Sequence, residues 1–162
     1  LDSGDACGEN VRFTRHVVML VEPNSQAGVT LVVLDDLTNH VPEKVEMFWH
    51  TRGQIQFDPK TLTGTIIGRR AGLYVAIAST AGLHAAVRSY PLERRHRDNV
   101  IEASAGVIGR ALTASVFSRR KIDGAVDVIE HDDGGVSVRV GKADLRFAMT
   151  KNEMKLDSVE GW

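Results

Sequence analysis

The stretch VTLVVLDDLTNHVPEKVEMFWHT, Val29 to Thr51, decides the reading of this chain. Val29–Leu34 is apolar apart from Thr30, which predicts a strand covered on both faces. Asp35 and Asp36 are expected to end it where the chain meets solvent. Asn39, His40 and Pro42 then suit a connection, because Asn tolerates turn geometry and Pro cannot donate to a ladder. From Lys44 to His50 the pattern alternates strictly: Val45, Met47 and Trp49 point one way, Glu46, Phe48 and His50 the other. A covered strand beside a half-covered one fits two stacked sheets.

Outward from that stretch the punctuation repeats. Arg12–Val21 reads as a strand and Glu22–Gly28 as a turn. Gln54–Asp58, Thr63–Arg69, Leu73–Thr80 and Leu83–Tyr90 are short strands parted by Gly- or Pro-bearing turns. Pro91–Asn99 (PLERRHRDN) is the most polar loop and the one expected to be mobile. Val100–Val107, Arg110–Arg119, Ala125–His131, Val136–Val140, Lys142–Thr150 and Met154–Val159 complete the set, with Asp132-Asp133-Gly134-Gly135 giving the clearest hairpin signal. About a dozen short strands without helical periodicity predict an all-β fold, an antiparallel β-sandwich. Residues 1–162 are expected to form a single sandwich domain with residues 1–10 loose.

The chain has 162 residues, enough for one core without staples. A net charge of −1 gives no pull toward nucleic acid or an anionic membrane, and no apolar run is long enough for a spanning helix. Aromatics are 6%, sparse for a platform that stacks single-stranded bases. Neither nucleic acid nor membrane is therefore expected as a partner. Cys7 is single, so no internal disulfide or Cys-based zinc knuckle can form. The chain starts at Leu1 without a basic-then-apolar leader, which reads as a processed chain or a fragment of a larger protein. Phosphate-loop, nucleophile-elbow and HExxH signatures are missing, so the usual marks of nucleotide, serine-type and zincin chemistry are too.

Three constellations carry candidate chemistry. Asp35, with His40 and His50, offers carboxylate and imidazole ligands for a zinc-like divalent ion, with Asp35 and His50 expected on adjacent strands. The plainer reading is a strand-end carboxylate and a hydrogen-bonded imidazole. On Leu83–Tyr90, His84, Arg88 and Tyr90 share one face, and Tyr74 joins them if the preceding strand pairs alongside. Arg suits a sugar carboxylate and Tyr suits stacking or proton transfer, so the stripe suits an acidic glycan; otherwise it is a solvated sheet face. Arg94-Arg95-His96-Arg97, with Arg95 at its centre, could concentrate a polyanion beside the stripe, against the default of exposed loop charge. Phe48 and Trp49 are expected in the core.

With these residues laid out, Arg12 to Arg119 resembles the C-terminal β-sandwich of heparinase II/III-like polysaccharide lyases. The likeness lies in RHVV at Arg15–Val18, LVVLDDL at Leu31–Leu37 and WHT at Trp49–Thr51. The resemblance implies a two-part lyase: an N-terminal helical toroid as partner domain, followed by this kind of sandwich. Such lyases act on acidic, uronate-containing polysaccharide by β-elimination, which favours a periplasmic or secreted location. Family catalytic groups sit largely on the toroid, with an H-x-H segment at the start of the sandwich. No H-x-H occurs here, and His16, Asp35 and His50 match only as framework positions. The implication is a supporting domain, inert alone. A free-standing acidic-glycan-binding module is the alternative.

Overall fold

The computed structural model describes residues 11–22, 28–92, 96–150 and 153–162. The loose terminus expected at residues 1–10, the centre of the turn at 23–27, and Arg94 and Arg95 lie outside the described residues. The strands are β1 (Val11–Val21), β2 (Val29–Thr51), β3 (Gln54–Asp58), β4 (Thr63–Ile67), β5 (Gly72–Ser79) and β6 (His84–Leu92). They continue with β7 (His96–Ser118), β8 (Val126–Glu130), β9 (Val136–Val140), β10 (Ala143–Thr150) and β11 (Glu153–Glu160). There is no helix among the described residues.

All pairings are antiparallel. One sheet runs β1-β2-β7-β5-β4-β3 with β6 also on β7, and the other runs β11-β10-β9-β8. Val32, Leu34, Leu112, Ala114 and Val116 of the first sheet pack against Val136, Val138, Leu145 and Phe147 of the second. The expected sandwich is therefore present. At the β8–β9 hairpin, Gly134 takes φ +79° and the Gly135 N–H donates to Asp133 Oδ1 at 2.9 Å. That bond holds the Asp133 carboxyl below its ordinary pKa.

Two expectations fail in an instructive way. Val29–Thr51 is a single strand of 23 residues, not two strands and a turn, and His96–Ser118 is another. The polar loop expected over Pro91–Asn99 is correspondingly cut down, since β6 runs to Leu92 and β7 resumes at His96. The turn-like residues of β2 make a bulge instead. Asn39 lies opposite Gly109 and Glu43 opposite Val107, so His40, Val41 and Pro42 face Ile108 alone. Pro42 has no N–H to give, and Gly109 takes φ +79°, a conformation that favours glycine.

The bulge folds the sheet back on itself. Leu37 and Val45, on its two sides, pack in one cluster with Ala105, Val107 and Ala111. Asn99 Nδ2 reaches Gly53 O at 2.8 Å, and β3 starts at Gln54, yet β3 lies only two strands beyond β5, which pairs with β7 near Phe117. Along a straight strand, Ile101 and Phe117 would stand about 53 Å apart. Here both belong to a second core with Trp49, Ile55, Phe57, Val75 and Ile77. The far halves of β2 and β7, with β6, thus form an arm laid over β5 and the end of β7. The small side chains Ala103, Ala105 and Ala111 suit the tight inside of that bend.

Candidate functional site

Asp35 and Asp36 do not end a strand at solvent. Each continues β2 and is clamped by an arginine distant in sequence. Arg15 donates from Nε to Asp35 Oδ1 at 2.6 Å and from Nη2 to Oδ2 at 2.9 Å. Arg110 holds Asp36 in the same two-pronged way, at 3.0 and 2.7 Å, and its Nη1 also donates to Glu130 Oε1 at 2.6 Å and Gly134 O at 3.0 Å. Planar guanidinium–carboxylate pairs of this kind are strong and directional. The hydrogen bond to Asp36, with Glu130 adding to it, raises the Arg110 pKa against the opposing effect of burial. Arg110 ties the first sheet to the β8–β9 hairpin. The sequence reading missed it, because nothing local marks an arginine as an inter-sheet clamp.

The inside of the bend is a groove of about 500 Å³. Phe13, Val33 and Leu37 form one wall, Val45, Met47 and Trp49 the other, with Phe117 in its lining and the Arg15–Asp35 pair at its polar end. Its lining is mostly apolar. Between β1 and the second sheet lies a more polar opening lined by Arg12, Thr14, His16, Asp36, Arg110 and Glu153. His16 Nε2 is buried there without a hydrogen-bond partner among the described residues, and its ring lies 5.6 Å from that of Phe147. Burial lowers the His16 pKa, with Asp36 opposing.

The expected glycan stripe is brought together only in part. His84, Arg88 and Tyr90 share the outer face of the arm, paired to Ser104, Val100 and Asp98 of β7. Tyr74 does not join them: β5 and β6 pair end to end with the same edge of β7, and Tyr74 lies opposite Ser118. Within the stripe the charge is already answered. Arg88 Nε donates to Glu102 Oε2 at 2.6 Å, and Tyr90 OH donates to Glu102 Oε1. The phenol bond lowers the Glu102 pKa, and the same bond raises that of Tyr90, which is therefore held protonated and is no ready base. Beside them His50 Nδ1 meets Asp98 Oδ2 at 2.7 Å. Phe48, expected in the core, is 50% exposed on this face, while Trp49 packs inward as expected.

The two proposed metal ligands both line the groove, but each is engaged elsewhere and no third ligand joins them among the described residues. Asp35 and His50 lie not on adjacent strands but on β2 itself, on either side of the bulge, engaged with Arg15 and Asp98 respectively. No group of three His, Cys, Asp or Glu side chains gathers among the described residues. The donor set does not fit a zinc-like ion.

The architecture defines a class: a two-sheet sandwich whose larger sheet is folded over at a bulge. No protein-family model matches the sequence, and no curated protein does. Solved structures do match. Heparan sulfate lyase HepC from Pedobacter heparinus superposes on 93% of this chain with a TM-score of 0.53 and 8% identity. A mutant of HepC matches equally. A heparinase III gene product follows over 86% of the chain at 13% identity, with a TM-score of 0.48. At such identities the likeness is one of fold, and in that sense the resemblance to the lyase sandwich holds. This chain spans about a quarter (26%) of HepC.

Proposed function

We propose that this chain is the sandwich domain of a heparinase II/III-like polysaccharide lyase, supporting a larger catalytic domain that acts on acidic, uronate-containing polysaccharide. The observation that carries the reading is the pairing of coverages: HepC matches 93% of this chain with only 26% of its own length. The chemistry of the chain agrees with a supporting role. β-Elimination needs a carboxylate neutralised, a base for the neighbouring proton and help for the leaving oxygen. On this chain Arg88 is already occupied by Glu102, and Tyr90 is kept protonated. His84 remains on the arm with no hydrogen-bond partner among the described residues, a group free to line one wall of a cleft. A free-standing glycan module is disfavoured, because the cation meant to receive a sugar carboxylate already holds one from the protein.

Ultraviolet absorbance of newly formed unsaturated uronate tests the proposal. The 162-residue chain alone should give no turnover on heparan-type or alginate substrates, whereas the longer protein carrying it should. Robust turnover by the chain alone refutes the supporting role. No turnover by the longer protein on any acidic polysaccharide refutes the lyase assignment.

A further inference from the structure

The arm covers one part of the large sheet's face turned away from the second sheet and leaves another bare. At the edge strand β1, Val17, Met19 and Val21 are 60%, 65% and 52% exposed. By register they stand beside Val33, Leu31 and Val29, and Leu31 stands beside Phe117. Alternation puts all of these on the face that carries Arg15 and Asp35, whose charges are paired to each other. The exposed portion is on the order of 300 Å², a size at which an apolar patch marks an interaction surface. It runs without a break into the groove, because Val33 and Phe117 belong to both.

Resting on the lyase-domain reading above, we infer that this patch and groove together are the docking surface for the larger domain of the same protein. Three observations select that occupant. A patch of roughly 300 Å² is well short of the roughly 800 Å² each partner buries in a stable association, so a twofold pairing of β1 with a second copy would be undersized. The concave groove needs a convex body to fill it, and the flat edge of a second copy does not supply one. The fold neighbour carries about three-quarters of its length outside the match, which is the kind of body required. The surface is also wrong for polysaccharide: it offers Val, Met and Leu with few polar groups to receive hydroxyls or carboxylates.

Met19 reports on this directly, since thioether oxidation follows exposure. Hydrogen peroxide is applied to the 162-residue chain and to the longer protein, and sulfoxide at each methionine is read by mass spectrometry. Met19 should oxidise about tenfold more slowly in the longer protein, while Met149, on the second sheet, reacts alike in both. Light scattering on the longer protein should give a monomer mass. Equal Met19 rates overturn the docking surface, and so does protection that appears only with a doubled mass. Unsaturated-uronate release, measured on the same samples, separates the two claims: turnover with unprotected Met19 leaves the lyase reading standing and removes this one. Met19→Glu supplies the second test. It should leave the melting temperature of the isolated chain unchanged within about 2 °C, since exposed changes cost little. In the longer protein it should open the domain junction to limited proteolysis. An unchanged digestion pattern there also overturns the inference.

Discussion

Replacing Arg110 with alanine tests whether the two sheets are held at one point by a charge clamp. Arg110 and Asp36 are 18% and 14% exposed, whereas Glu130 is 40% exposed. Removing the guanidinium leaves the Asp36 carboxylate sheltered without its two donors, while Glu130 rehydrates at little cost. Breaking a fully buried pair costs about 3–5 kcal/mol; with part of this clamp open to water, about 3 kcal/mol is expected. For a domain of this size that is a fall in melting temperature of about 6–12 °C, measured by circular dichroism. Arg110→Ala with Asp36→Ala should recover about 1–2 kcal/mol relative to the sum of the single changes, because the stranded charge is gone. A shift below about 2 °C for Arg110→Ala, or strict additivity in the double variant, would show that the clamp is not what holds the hairpin to the sheet.

Further outcomes follow from the same structure. His16 is kept neutral by burial, so the unfolded chain takes up its proton first. Stability should be complete above the ordinary imidazole value and fall as pH drops through it toward the lowered folded value, and His16→Gln should flatten that fall in urea titrations. Gly109→Ala should cost about 1 kcal/mol through its positive φ alone, since an added Cβ meets nothing within 4 Å. Gly106→Ala, equally open but without positive φ, should be neutral or stabilising by about 0.5 kcal/mol; equal costs at the two sites would remove the bulge argument. Leu34→Ala, at a side chain with no exposed surface between the sheets, should cost about 3–4 kcal/mol in chemical denaturation.

Local chemistry was legible wherever a short run settled its own geometry. Asp132–Gly135 marks its hairpin because the aspartate–glycine run supplies both the side-chain acceptor and the positive φ. The alternation at Lys44–His50 gave the right inward set of Val45, Met47 and Trp49. The long strands were not legible, since His40, Val41 and Pro42 carry the composition of a loop, and only the partner strand shows that they bulge out of a continuing ladder. Asp35 and Asp36 misled for a related reason: their arginines lie 20 and 74 residues away, so adjacent carboxylates read as exposed when they are clamped. The pairing inside the stripe was hidden for the same reason: Glu102 lies one strand over, and no inspection of Leu83–Tyr90 alone would bring it to Arg88 and Tyr90.

The bulge links these readings to the proposed role. A flat seven-stranded sheet covered on one side by only four strands would leave most of its other face in water. Folding the arm back buries Val75, Ile77 and Ile101 without a third sheet, and requires a glycine at positive φ at position 109 and a proline in the ladder. The fold-over cannot reach β1, because the arm lies over β5 and the end of β7 on the far side of β2. Val17, Met19 and Val21 are therefore exposed by topology, and a stable soluble domain with no need of a partner would place polar side chains at those outward positions. Apolar residues at three successive outward positions on a strand at the sheet edge among the described residues are accounted for when something larger than the arm closes over them.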